Sequence, residues 1–70
     1  MNIIYSYHAK KRMRERGIKD SYVLECVEIP DYCVNSRGIF ESHRKIEGKL
    51  LRVVWTRQDK FIKVISVMWR

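Results

Sequence analysis

Leu50-Leu51-Arg52-Val53-Val54-Trp55-Thr56 is the stretch on which the fold turns. It is rich in the β-branched and aromatic residues that pack well on a pleated surface, so it reads as a strand. Glu47-Gly48-Lys49 leads into it as a tight hairpin, from a segment Ile39 to Ile46 that alternates only weakly. Beyond it, Arg57-Gln58-Asp59-Lys60 reads as the next turn and Phe61 to Trp69 as a last strand, apolar enough to be central although Lys63 and Ser66 break its two faces. Upstream, Tyr32-Cys33-Val34 followed by the polar turn Asn35-Ser36-Arg37-Gly38 completes an antiparallel meander.

Ahead of the meander the apolar spacing changes to that of helices. Asn2 to Tyr5 reads as a short strand or an extended lead-in. Ser6 is placed as an N-cap for a helix that runs to Arg16 and ends at Gly17. On a helical wheel Tyr5, Ala9 and Met13 form an apolar stripe and Lys10 and Arg14 point away from it, while His8, Arg12 and Arg16 form a polar row beside the stripe. Asp20 reads as the N-cap of a second helix carrying Val23, Cys26 and Val27 at i, i+3, i+4, with Glu25 and Glu28 on its solvent side and Pro30 as its stop. The fold class expected is α+β: one domain over 1–70, two N-terminal helices on one face of a roughly four-stranded antiparallel sheet.

Size and charge narrow the function. A chain of 70 residues hides only about 60% of its unfolded surface, which leaves little room for a separate cofactor-binding unit. No cofactor and no metal is expected, since Cys26 and Cys33 have no nearby histidine; they read as two buried thiols, with a disulfide across Pro30 as the alternative. No apolar run is long enough to span a bilayer and the opening residues lack a signal-peptide pattern, so the expectation is a cytoplasmic protein with no membrane partner. The net charge of +7 divides unevenly, as +4 over residues 1–20, −3 over 21–36 and +6 over 37–70. Basic ends around an acidic middle suggest that the first and last parts of the fold meet in one positive surface, for which the fitting partner is a polyanion. With one sheet face uncovered, Arg44, Arg52, Arg57 and Lys63 are the strand residues expected to collect on it.

The segment Tyr7-His8-Ala9-Lys10-Lys11-Arg12-Met13-Arg14-Glu15-Arg16-Gly17-Ile18 resembles the signature H-A-x-x-R-M-x-x-R-G-I of a widespread family of small bacterial and archaeal proteins of unassigned function. The strands from Lys49 to Thr56 and from Ile62 to Val67 look like that family's hairpin and like the end of BrnT-type toxins. The resemblance implies a RelE/ParE-like or barnase-like fold. It also implies the toxin half of a toxin–antitoxin pair: a metal-independent endoribonuclease acting on messenger RNA, at the ribosome or free of it, and held in check by a cognate acidic antitoxin.

Cleaving RNA without a metal requires a proton acceptor at the 2′-OH, positive charge at phosphorus and a proton donor at the leaving 5′-oxygen. His8 or His43 is the natural proton carrier, and His8 is preferred because Arg12 lies one helical turn away as a phosphate clamp; with Arg44 from the sheet, these make the catalytic set expected, His8, Arg12 and Arg44. Arg16, Arg52, Arg57, Lys63 and Thr56 are the expected RNA contacts. Plainer readings stand beside these. His8 caps or packs at the sheet edge, Arg16 binds helix-end carbonyls, and β-propensity alone accounts for Thr56. His43, in the polar stretch Glu41-Ser42-His43-Arg44, is solvated decoration, and Trp55 and Trp69 are core. The rival functions are a non-catalytic RNA-binding module and an inactive or differently targeted toxin relative, for instance one directed at gyrase.

Overall fold

In a computed structural model that describes residues 2–70, the elements run β1 (Asn2–Tyr5), α1 (Tyr7–Arg16), α2 (Asp20–Glu28), β2 (Tyr32–Ser36), β3 (Ile39–Ile46), β4 (Lys49–Gln58) and β5 (Phe61–Trp69). The sheet has five strands in the order β1-β5-β4-β3-β2. The four later strands form the expected antiparallel meander. The correction is β1, which pairs in parallel with β5 and makes the sheet mixed.

All three hairpins turn on two residues. Arg37-Gly38 and Glu47-Gly48 both have positive φ at both positions, the geometry whose twist matches that of the flanking strands. The strands therefore reach further into the polar segments than their composition suggests. Ser36 pairs with Ile39, Ile46 with Lys49 and Gln58 with Phe61. Between Val54 and Trp55 the register against β5 slips, because Ile65 is an extra residue between Val64 and Ser66.

Ser6 caps α1 as expected: its hydroxyl accepts the Ala9 N–H (3.0 Å) and donates to the Ile65 carbonyl (2.8 Å), fastening the start of the helix to β5 where β1 ends. Gly17 closes α1 in the left-handed conformation, its N–H on the Met13 carbonyl. Asp20 is not the N-cap of α2. It is the first helical residue, and Lys19 holds the cap position without a side-chain bond. Burial first, and then the Asp20 carboxylate, push the Tyr5 phenol above its ordinary pKa.

Both helices cover one sheet face, and the core lies between them: Ala9, Ile18, Val23, Cys26 and Val27 against Ile46, Leu51, Val53, Trp55, Ile62, Val64 and Val67. Trp55 is core as expected; its ring stacks on Phe40 (4.3 Å between centroids) and its Nε1–H donates to the buried Ser42 hydroxyl at 2.9 Å. Trp69 is partly buried against the same cluster and donates Nε1–H to the Arg16 carbonyl. Both cysteines are free thiols. Cys26 is buried, and burial pushes its pKa up to about 12; Cys33, against expectation, is exposed on an edge strand. Among the described residues no helix is long and apolar enough to cross a membrane.

Candidate functional site

Strand parity sorts the expected site residues. Because Ser42 faces Val53 and Arg44 faces Leu51 across the β3–β4 ladder, Ser42, Arg44, Val53 and Leu51 all project to the helix side. Arg44 is therefore not on the uncovered face. Its Nε donates to Glu25 at 2.6 Å, its Nη1 donates to the Ile29 carbonyl at 2.7 Å, and Asp31 lies 3.5 Å away. It fastens the end of α2 to the sheet, and Glu25, expected to face solvent, is its main partner. That carboxylate holds the guanidinium's pKa above its usual value. Arg57 faces Ile62, which also puts it on the helix side, in a hollow with Asn2, Asp59 and Lys60 at the far end of the β4–β5 hairpin.

On the helix-free face stand Arg52, Thr56 and Lys63, with Glu41 and His43 from β3. Glu41 and His43 are two residues apart on one strand, so their side chains share a face, and Arg52 is the cross-strand partner of His43. Glu41 joins all three. One carboxylate oxygen lies 3.0 Å from His43 Nε2 and the other accepts from Arg52 Nη2 at 2.9 Å. The Arg52 bond first, and then the His43 bond, hold the Glu41 carboxyl at about 2, far below the usual carboxylate range, and Glu41 raises Arg52 in return.

His43 is 1% exposed, so it is not the solvated decoration expected. The Tyr32 ring lies over it almost parallel, at 4.3 Å and 9°, and its Nδ1 is buried without a hydrogen-bond partner. An unpaired polar atom in such a place is costly, and native structures keep few of them. Thr56 spends its hydroxyl proton on the Gly38 carbonyl (2.9 Å), tying β4 to the β2–β3 turn.

The helix row reaches the same surface from the side. Arg12 and Arg16 line a cleft of about 100 Å³ with Met68 and Trp69, at the edge where α1 passes the end of β5. Met68 also touches Arg52, whose Nη1 lies 3.1 Å from the thioether sulfur. A continuous path thus runs from Arg12 and Arg16 through Met68 to Arg52, Glu41 and His43. His8 is exposed on α1 one turn before Arg12 and does not line the cleft.

Sequence reasoning missed Glu41 and Met68 and undervalued His43. The signal available was the carboxylate and imidazole two residues apart in a strand next to one carrying an unpaired arginine.

These features define a class: a small α+β protein whose helix-free sheet face carries a carboxylate–imidazole–guanidinium cluster beside a basic cleft. The chain belongs to the family described as domain of unknown function (DUF4258), whose model matches residues 5–69. Among curated proteins and solved structures, nothing matches the chain.

Proposed function

We propose that this protein is a metal-independent endoribonuclease with a RelE-like fold, the toxin of a toxin–antitoxin pair, and that it acts on messenger RNA with its helix-free sheet face. The observation that carries the reading is the Glu41–His43–Arg52 cluster joined through Met68 to the Arg12–Arg16 cleft. It supplies in one place a proton acceptor, a proton donor and paired guanidinium groups for phosphate. The roles first given to His8 and Arg44 pass to Glu41, His43 and Arg52.

In this reading the scissile phosphate takes over the Arg52 guanidinium. Glu41, which Arg52 holds near 2, then rises toward ordinary carboxylate basicity. Glu41 accepts the 2′-OH proton as O2′ attacks phosphorus. The P–O5′ bond breaks as His43, which enters the step as the imidazolium, gives its Nε2 proton to O5′ and is left a neutral imidazole; the products are a 2′,3′-cyclic phosphate and a 5′-hydroxyl, and the proton now on Glu41 passes to Nε2, 3.0 Å away, to restore the site. Arg12, Arg16 and Lys63 hold the flanking backbone, where each phosphate contact adds to salt dependence. Tyr32 is half-exposed on an edge strand, and an incoming base that displaces its ring uncovers the imidazole. The acidic antitoxin has a matching surface on the outer side of α1, where Tyr7 is 83% exposed among Lys10, Lys11 and Arg14.

The test is cleavage of a defined RNA in EDTA, with ribosomes present and absent, by wild type and by Glu41→Gln, His43→Ala and Arg52→Lys. Loss of cutting in those variants while His8→Ala still cuts supports the reading, and an uncut substrate in every wild-type reaction overturns it. A second reading rests on the covered His43 ring: a binding module that uses the same face without chemistry. Binding that weakens steeply with salt, with intact RNA recovered throughout, is its signature.

A further inference from the structure

β2 is a free edge of the sheet, and all five of its residues are exposed. Edge strands are ordinarily guarded by charge, proline or covering chain, yet Tyr32-Cys33-Val34-Asn35-Ser36 contains neither charge nor proline. Its open-face side chains, Tyr32 and Val34, are 49% and 53% exposed, and Ile39 across the hairpin is exposed as well.

The direction of the unused backbone groups follows from the turn. In a two-residue hairpin the flanking residues, Ser36 and Ile39, exchange both N–H···O bonds, so Val34 with Glu41 and Tyr32 with His43 do the same. The Asp31 N–H on the His43 carbonyl (2.7 Å) agrees, since that carbonyl faces β2. Cys33 and Asn35 alternate with these residues and so aim their N–H and C=O groups outward. Asp31 and Arg37, of opposite charge, flank the strand at equal distance from Val34; the Asp31 carboxylate accepts the Lys45 N–H at 2.8 Å and lies 3.5 Å from Arg44, yet its side chain stays 48% exposed.

We propose that β2 pairs antiparallel with β2 of a second copy of this chain, about a two-fold axis at Val34, joining the two sheets. In this register Cys33 of each copy exchanges backbone bonds with Asn35 of the other, and Val34 meets Val34 in a non-hydrogen-bonded pair, where side chains approach closest. Asp31 of each copy comes opposite Arg37 of the other. One strand with both charges placed symmetrically about its centre is complementary to itself, as a two-fold interface requires. The interface is small, so association is weak and concentration-dependent.

The experiment is sedimentation equilibrium of the full chain across a wide concentration range, together with amide hydrogen exchange. The expected result is a reversible shift from the 8.5 kDa chain mass to twice that mass, with exchange at Cys33 and Asn35 slowing as concentration rises. Val34→Lys sets ammonium groups face to face on an exposed position, and Arg37→Asp opposes two carboxylates at a left-handed position that aspartate tolerates. Each is expected to weaken the dimer at least about tenfold while circular dichroism and the thermal midpoint stay near wild type. A single-chain mass at every concentration overturns the proposal, as does a dimer that survives both substitutions with Cys33 and Asn35 exchanging freely.

Discussion

Ser42→Ala removes one hydroxyl from a fully buried position on the helix side of β3. That oxygen accepts the Trp55 Nε1–H at 2.9 Å and donates toward Cys33 Sγ at 3.5 Å. Trp55 is itself buried against the core and stacked on Phe40, so no water replaces the lost acceptor. A donor left unsatisfied in such a place costs about 1–3 kcal/mol. For a domain of this size that corresponds to a fall in thermal midpoint of roughly 5–20 °C. Trp55→Phe deletes the donor instead, and in that background Ser42→Ala should cost far less, giving a coupling of about 1–2 kcal/mol in a double-mutant cycle. The assay is urea unfolding of the four proteins followed by circular dichroism. A Ser42→Ala cost below about 0.5 kcal/mol, or an equal cost in both backgrounds, would mean that the Trp55 N–H does not depend on this oxygen.

Glu41 has its folded pKa depressed to about 2, so its contribution to stability is complete above its unfolded value near 4.5 and is lost as pH falls through 2. Acid titration of unfolding should therefore fall less steeply in that window for Glu41→Gln than for wild type. Cys33 should react quickly with a thiol reagent in the folded protein while Cys26, buried and pushed up to about 12, reacts only on unfolding; two equally fast thiols would contradict the burial described. Ser6→Ala should lower stability by about 1 kcal/mol, because the Ala9 N–H loses its cap; urea unfolding measures it.

The meander was legible because Gly38 and Gly48 punctuate apolar runs, and α1 because Ser6 and Gly17 mark its ends. β1 was harder: four residues carry too little periodicity to announce a strand, and its parallel partner lies near the far end of the chain. The facing of Arg44 turned on a single residue. A three-residue turn over Glu47-Gly48-Lys49 would set Arg44 opposite Arg52 on one face. The two-residue turn sets Arg44 opposite the buried Leu51 and brings His43 opposite Arg52. Because side chains alternate with period two, that one-residue change moves every side chain of β3 to the other face. The Glu41–His43–Arg52 cluster was hidden by the same slip. The convergence of α1 with the end of β5, suggested by the basic ends of the chain, is met at the Arg12–Arg16 cleft but not at His8.

RNA bound on the helix-free sheet face, and not on the outer side of α1, is what cleavage by the Glu41–His43–Arg52 cluster requires. The direct measurement is an amide and side-chain NMR titration with a short oligoribonucleotide made uncleavable by 2′-deoxy substitution. Shifts concentrated at Glu41, His43, Arg52, Lys63 and Met68, extending to Arg12 and Arg16, are the expected result. Shifts confined to Tyr7, Lys10, Lys11 and Arg14 on the outer side of α1, with Glu41 and His43 unmoved, would contradict it.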